Sequence, residues 1–446
     1  MTPTLAQGLS PVRAELGNGA VVLVQETPTT PAVTLSASFR AGSLFDPPDL
    51  EGLSYLTGRV LDRGTERRAA RAIAEELDNR GVSLKISTSR HHLVLSCTCL
   101  SEDFDDVLEI VADVARRPTF PDDEISKRRA EAVTILRQNE DNPATRAAEI
   151  ALDLLYTRAH PYGRPSKGTA AGVARVTRAD MEAFHARRIR PAALTLAIVG
   201  DVSASHAMDR AAAELDGWNG AAPERFDVPP PPAIAGRRQR IQTMPGKSQT
   251  DLVYGFTTVR RHDPRYDAYW MMNNILGEFG LGGRLADNIR ERQGMAYYAF
   301  STLDPAAGEA PLLIRAGVDP ANVERALAAI DHEVASLAAA GPTSREVEET
   351  RAYLIGSIPR MFETNQSIAS FLQMTEEFGL GLDFDRRLPT RLGAVTREQI
   401  AAAAAEVLAP DRAAIGIAGP SSPATHIPSA GSGPHSPPPQ SPKEGV

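Results

Sequence analysis

The feature that most constrains this chain is an internal repeat. A predicted helix opening with Val-Thr-Arg begins at Val176, and another begins at Val395, 219 residues later. A second match pairs residues 121–130 with residues 342–352, and its equivalent positions are 222 residues apart. Because two separate matches give nearly the same offset, the chain is predicted to be a duplication of one folding unit.

The two halves also share an order of predicted elements. Within the second match, Glu124 and Arg129 correspond to Glu346 and Arg351. In each half, strands with a two-residue period give way to long amphipathic helices. This grouping of strands and helices is typical of α+β domains. We therefore predict two homologous α+β domains, each a mainly antiparallel sheet with helices packed on one side.

Two proline-rich stretches set the predicted domain boundaries. Residues 216–248 contain four consecutive prolines, which neither a helix nor a central strand accommodates, so they are predicted to be a linker. Residues 420–446 are rich in proline, serine and glycine and are predicted to be a disordered tail. The N-terminal domain is then expected at 1–215 and the C-terminal domain at 249–419.

Charge, hydropathy and cysteine content exclude several classes of protein. The chain has 48 lysines and arginines against 56 acidic residues, a formal net charge of −8 that disfavours nucleic-acid binding. No apolar run approaches the ~20 residues of a membrane helix, and the first residues show no secretory signal. Cys97 and Cys99 are the two cysteines, too few for a disulfide framework. We expect a cytoplasmic protein without nucleic-acid or membrane partners.

Residues 40–66 carry the most informative motif, which reads RAGSLFDPPDLEGLSYLTGRVLDRGTE. The stretch resembles the pitrilysin/insulinase family of zinc metallopeptidases, whose active members have G-S-x-x-D-P-P, then the inverted zinc motif H-x-x-E-H, then G-T. The resemblance continues through residues 160–169, 184–201 and 283–301 and covers nearly the whole chain except the tail. It implies the same duplicated α+β fold that the repeat predicts.

The positions that bind zinc in this family carry other residues here. The first histidine corresponds to Tyr55, the catalytic glutamate to Gly58, the second histidine to Arg59, and the third ligand to Ile135. A guanidinium has no lone pair to give to a metal, and glycine has no side chain to act as a base. We therefore expect no metal in this chain and no catalysis by this chain alone.

Two other groups of residues have side chains of types that bind metals. Asp46, Asp62 and Glu66 lie near the degenerate motif, but no histidine or cysteine stands within helical reach of them. His91 shares one face of a predicted strand with the two cysteines, where a soft-metal site is the alternative to inert core residues.

A second motif lies in the C-terminal half. The segment from Arg290 to Tyr297 resembles the family's arginine–tyrosine pair, which reaches toward the zinc site of the opposing module. The resemblance implies that both donate hydrogen bonds to the scissile carbonyl as it becomes an oxyanion. The alternative is a solvated arginine and a half-buried tyrosine. Gly282 and Gly283, in the glycine-rich turn 277–283, resemble a substrate-binding loop of non-zinc subunits, or a tight turn that needs glycine.

Two functions follow from the resemblance. The first is the non-zinc subunit of a heterodimeric metallopeptidase, which encloses an unfolded peptide with a zinc-bearing homologous partner and supplies Arg290 and Tyr297 in trans. The alternative is a catalytically inert scaffold or binding protein on the same fold, like the core subunits of the respiratory bc complex. In both cases no cofactor is expected in this chain, and zinc is expected in the partner subunit of the peptidase.

Overall fold

The structure is a computed structural model that describes residues 8–222, 227–233, 235–278 and 282–420. The predicted tail therefore lies outside the described residues except for Pro420. The strands of the N-terminal half, β1 to β6, are Val12–Glu15, Val21–Glu26, Ala32–Phe39, Lys85–Thr88, Leu93–Leu100 and Leu194–Gly200. Its helices, α1 to α8, are Leu53–Val60, Ala70–Asp78, Phe104–Arg116, Asp122–Glu140, Pro143–Tyr156, Ala170–Arg175, Arg178–Arg188 and Ala204–Leu215.

The C-terminal half has five described strands and six α-helices. Strands β7 to β11 are Arg238–Thr243, Thr250–Thr257, Ala296–Leu303, Pro311–Val318 and Ala414–Gly419. Helices α9 to α14 are Tyr266–Asn273, Val323–Ala340, Ser344–Ser357, Asn365–Glu377, Phe384–Ala394 and Arg397–Val407. Two π-helical segments, Asn274–Glu278 and Ala286–Arg292, connect α9 to β9.

The two sheets have the same topology apart from one strand. The N-terminal sheet has the order β1-β2-β6-β3-β5-β4, and the C-terminal sheet has the order β7-β11-β8-β10-β9. In each sheet one pair is parallel, β2 with β6 and β7 with β11, and the other pairs are antiparallel. If β1 is left out, the strands of the two sheets lie in the same order relative to their order along the chain. The predicted fold class, two α+β domains with mainly antiparallel sheets, is confirmed.

The arginines that match in sequence between the two halves make equivalent contacts. The Nη2 atom of Arg129 donates a hydrogen bond to the carbonyl oxygen of Val176 at 2.7 Å. The Nη2 atom of Arg351 donates to the carbonyl oxygen of Val395 at 2.9 Å. Each bond ties a long helix, α4 or α11, to the start of the Val-Thr-Arg helix, α7 or α14. The sequence match therefore reflects one packing contact present twice.

The two halves exchange one helix each. Helix α5 packs on β7, β8 and β11 of the C-terminal sheet, and helix α12 packs on β3 and β6 of the N-terminal sheet. Along β8, Leu252 and Tyr254 belong to the core on one face, whereas Val253 faces the alanines of α5 on the other. The exchanged helices cover a second face of the central strands of each sheet, which explains why β8 and β11 are buried along nearly their whole length.

A glycine permits the close approach of α5. A Cβ atom at Gly416 of β11 would overlap the carbonyl oxygen of Ala147 and stand 2.8 Å from the backbone nitrogen of Ala151. On the N-terminal sheet the corresponding contact is polar, because the Nε2 atom of Gln373 in α12 donates to the carbonyl oxygens of Ser36 (2.7 Å) and Thr195 (3.1 Å).

The predicted linker, residues 216–248, contains the first strand of the C-terminal sheet. Its segment Arg238–Thr243 is β7, so the prediction extends too far toward the C-terminus. The sequence RQRIQT has one apolar residue, because β7 is an edge strand, and it therefore shows no alternating pattern. The proline run itself is held against the N-terminal half, where the Nε2 atom of His160 lies 2.8 Å from the carbonyl oxygen of Pro229.

Candidate functional site

Helix α1 carries three of the four degenerate positions. The Nη2 atom of Arg59 forms an ion pair with Oε2 of Glu131 on α4 at 3.0 Å, and its guanidinium lies 5.7 Å from the centre of the Tyr55 ring. The Nη1 atom of Arg128, also on α4, binds the same Glu131 oxygen at 2.8 Å. Hydrogen bonds from Arg128 and Arg59 lower the pKa of Glu131. An ion cluster therefore joins α1 to α4 at the degenerate zinc motif.

Gly58 lies close to the sheet. A Cβ atom at this position would lie 2.9 Å from Oγ1 of Thr88 in β4 and 3.5 Å from Cδ1 of Leu93 in β5. A side chain at position 58 would require the hydroxyl of Thr88 to move. Helix α1 therefore packs closely on β4 at the position that corresponds to the catalytic glutamate of the family motif.

The residues present do not fit a zinc ion. Ile135 lies half-buried on α4, one helical turn after Glu131, and offers no donor atom. Within the described ranges, no group of three or more histidine, cysteine or acidic side chains is arranged to hold a metal. Cys97 and Cys99 lie in the core of the N-terminal half, where burial raises their pKa values to about 12 and about 11. Both thiols therefore stay protonated and inert at neutral pH.

Asp46 of the D-P-P motif is a helix cap. Its Oδ2 and Oδ1 atoms accept hydrogen bonds from the backbone nitrogens of Gly52 (2.9 Å) and Ser54 (2.8 Å), which satisfy free amides at the start of α1. Asp62 instead pairs with Arg63, whose Nε atom lies 3.1 Å from Oδ1. These acids serve the fold of α1 and its neighbourhood rather than a metal.

The cap makes stability depend on pH. Burial raises the pKa of Asp46 from 3.8 to about 6. Between these values the folded chain retains a proton that the unfolded chain has lost, so stability falls as pH rises through this range. The expected loss is about 3 kcal/mol, from roughly two pKa units at 1.36 kcal/mol each.

Urea unfolding of the wild type and of Asp46→Asn, at intervals between about pH 4 and pH 7, measures this effect. Asparagine does not titrate, so the stability of the wild type relative to the variant should decline as pH rises. A constant difference would show that Asp46 is not the group responsible.

Arg290 and Tyr297 lie on one exposed segment of the C-terminal half. Arg290 is at the end of the second π-helical segment, with a half-exposed side chain whose Nε atom is 3.5 Å from Oε1 of Glu291. The side chain of Tyr297 in β9 is 78% exposed, an unusual value for an aromatic residue in a strand. No hydrogen bond joins these two described side chains. The phenol of Tyr297 and the half-exposed guanidinium of Arg290 are both accessible to a group outside this chain.

A β-bulge directs Tyr297 outward. In the pairing of β9 with β10, Tyr298 is opposite Gly317 and Ala296 is opposite Val318, so Tyr297 is an extra residue without a partner. Bulges of this kind reorient one side chain and recur next to active sites. The strand is also the free edge of the C-terminal sheet.

The two glycines of the predicted substrate loop differ in their surroundings. Gly283 is buried, and a Cβ atom there would lie 2.8 Å from the Cα atom of Gly277, which itself packs against the backbone of Ser301. Gly283 therefore lets the π-helical segments approach each other and β9. Gly282 is exposed. Residues 279–281, between them and Gly277, are outside the described residues.

Sequence reasoning missed two features of these surfaces. The Arg59–Glu131 ion pair joins residues of two helices and has no local signature. On the C-terminal sheet, the hydroxyl of Tyr298 donates to Oδ1 of the buried Asp251, and Arg315 lies in the adjoining row. The one available signal was an arginine inside the apolar strand PLLIRAGV.

Sequence comparisons identify the family. Residues 21–169 match the model for Insulinase (Peptidase family M16), and residues 175–354 match the model for the Peptidase M16 inactive domain. The chain belongs to peptidase family M16. The second match covers the segment that carries Arg290 and Tyr297, and the first covers the degenerate zinc motif.

Relatives in the M16 family match along most of their length. An uncharacterized zinc protease of Mycobacterium leprae is 26% identical over 405 residues, 89% of each chain. The uncharacterized zinc protease YmxG of Bacillus subtilis is 23% identical, over 78% of this chain and 84% of the relative. These proteins are named as zinc proteases, whereas the motif positions of this chain carry Tyr55, Gly58 and Arg59.

Solved structures show the same M16 fold. A peptidase M16 inactive domain from Pseudomonas fluorescens is 27% identical with a TM-score of 0.84, covering 93% of this chain and 99% of that one. A protease from Helicobacter pylori, 17% identical, also has a TM-score of 0.84, covering 92% of this chain and 100% of that one. In the described part of the chain, no helix is long and apolar enough to cross a bilayer.

Proposed function

We propose that this M16 chain is the non-zinc subunit of a two-chain metallopeptidase. The observation that carries the proposal is the contrast between its two motif regions. In the N-terminal half, the positions of the zinc motif carry Tyr55, Gly58 and Arg59, and Arg59 is held in an ion pair with Glu131. In the C-terminal half, Tyr297 is held outward by a bulge on an open sheet edge.

The partner in this proposal is a homologous chain that bears H-x-x-E-H and holds the zinc ion. The two chains together enclose an unfolded peptide, which lies extended along the free edge of β9. Arg290 and Tyr297 then donate hydrogen bonds to the carbonyl oxygen under attack. A cytoplasmic location is part of the proposal, since Cys97 and Cys99 are free and buried thiols.

Reconstitution tests the proposal. The chain is purified alone, then mixed with the homologous zinc-bearing chain from the same source, and cleavage of an unfolded peptide is measured for each chain and for the mixture. We expect an equimolar complex with peptidase activity well above that of the zinc-bearing chain, and no activity from this chain at any zinc concentration.

The alternative function, an inert scaffold, predicts a different outcome. A stable complex whose peptidase rate equals that of the zinc-bearing chain alone would favour the scaffold and contradict the proposed role. Cleavage by this chain alone, abolished by a chelator, would contradict both functions and show that the degenerate motif still holds a metal.

A further inference from the structure

One face of the C-terminal sheet carries a row of polar side chains next to the free edge of the sheet. Tyr298 of β9, Gly317 of β10 and Asp251 of β8 lie opposite one another across the three strands. The ring of Tyr298 crosses β10, since a Cβ atom at Gly317 would lie 2.6 Å from its Cε1 atom. Its hydroxyl donates to Oδ1 of Asp251, which also accepts from Gln249 at 3.1 Å. The carboxylate of Asp251 is thus already engaged.

Arg315 lies on the same face of the sheet, two residues before Gly317 on β10. Its neighbours across the strands are Phe300 on β9 and Val253 on β8. The side chain is half-buried, and within the described residues it forms no hydrogen bond and no ion pair. Burial lowers the pKa of Arg315, while Tyr298 and, from beyond ion-pair distance, Asp304 act in the opposite direction. A guanidinium therefore stands on this face with its burial uncompensated by a bound carboxylate.

Arg315 lies within reach of a peptide that pairs, as an added strand, with the free edge of β9. Strand β9 is the last strand of the sheet, so a peptide paired with its free edge would lie two strand spacings, about 10 Å, from β10. Side chains of that peptide alternate, and those on the face of Phe300 point to the same side as Arg315. An extended arginine and a glutamate side chain together bridge this span above Phe300.

We propose that Arg315 binds a carboxylate side chain of a peptide extended along β9, so that the site prefers an acidic residue at one position. Guanidinium is the side-chain group best suited to this, because it donates two parallel hydrogen bonds to a carboxylate. The inference rests on the proposed function for the peptide itself. It adds the chemical class of one substrate residue, which the family's arginine–tyrosine pair does not determine.

Peptide binding to the purified full chain tests the inference without need of catalysis. The probes are fluorescein-labelled peptides of alanine, serine and glycine, long enough to pair along β9, with a single glutamate or glutamine moved along the sequence. Fluorescence anisotropy should show one position at which glutamate binds about tenfold tighter than glutamine. Arg315→Gln should remove this difference, and Arg315→Lys should keep part of it. Arg345→Gln, at an exposed site on α11, is the control that should leave it unchanged.

The outcomes separate this inference from the proposed function. Equal binding of the two peptide series, or no peptide binding at all, would overturn it, as would a preference that persists in Arg315→Gln. The same peptides are then given to the two-chain complex. If the complex cleaves the peptides without preferring glutamate, the peptidase proposal holds and the role of Arg315 does not. If the chain prefers glutamate in binding but the complex cleaves no peptide, the role of Arg315 holds and the peptidase proposal does not.

Discussion

Replacement of Arg290 by alanine is expected to lower kcat/KM of the proposed two-chain peptidase by about 10²-fold or more, because removal of one oxyanion donor costs about 3–4 kcal/mol. Arg290 is half-exposed, and its ion-pair neighbour Glu291 is also exposed. The substitution therefore leaves no buried charge unpaired, and the chain should fold and assemble normally. Steady-state kinetics of the purified complex measures kcat/KM, and the elution volume of the complex reports whether it assembles.

A matched control lies on the same π-helical segment. Arg292 is 73% exposed and pairs with Asp287 at 2.5 Å, and Arg292→Ala should leave the kinetics unchanged. Tyr297→Phe removes a single hydroxyl and should reduce kcat/KM in the same direction as Arg290→Ala. Normal kinetics of Arg290→Ala in a normally assembled complex would show that the pair is not catalytic and would favour the inert scaffold.

Substitution of Gly416 by valine should lower the free energy of unfolding by about 3 kcal/mol, at the upper end for an overpacked core position. The new side chain would meet the backbone of α5 at Ala147 and Ala151, which has no rotamer to change. Helix α5 would have to lift off the C-terminal sheet. Urea denaturation followed by circular dichroism measures the difference.

The control for this substitution is another glycine with free space. Gly393 lies in α13, and no heavy atom stands within 4 Å of where its Cβ atom would be. Gly393→Ala should match or slightly exceed the wild type in stability, since alanine favours helix. If Gly416→Val proves as stable as Gly393→Ala, then α5 does not pack closely on β11 at Gly416.

The fold was accessible from the sequence where residues report on a local pattern or on a repeated contact. Arg129 and Arg351 matched in sequence because each binds the carbonyl that precedes a capped helix. The extent of the linker was not accessible, because edge strand β7 carries arginine and glutamine at positions where a buried strand has apolar residues. An amphipathic pattern also reveals that a helix packs, but not on which sheet, so the exchange of α5 and α12 was not predicted.

The candidate site also has features that the sequence predicts and features that it does not. Tyr55 and Arg59 stand where the family motif has its two histidines, and Gly58 stands where it has the catalytic glutamate; this is a property of residue types and was visible in the sequence. The ion pair of Arg59 was not visible, because its partner lies 72 residues away on another helix. The exposure of Tyr297 depends on a bulge that no local pattern signalled, since the register shift arises from the pairing with β10.

The exchange of helices has a consequence for what each half can become. The C-terminal sheet is completed by α5, which belongs to the half that lost its zinc residues, and the N-terminal sheet is completed by α12. Neither half is a separable module, because deletion of one strips a layer from the other, and the two should melt in a single cooperative transition. The N-terminal half is therefore required for the fold of the C-terminal half, whatever residues it carries at the zinc motif.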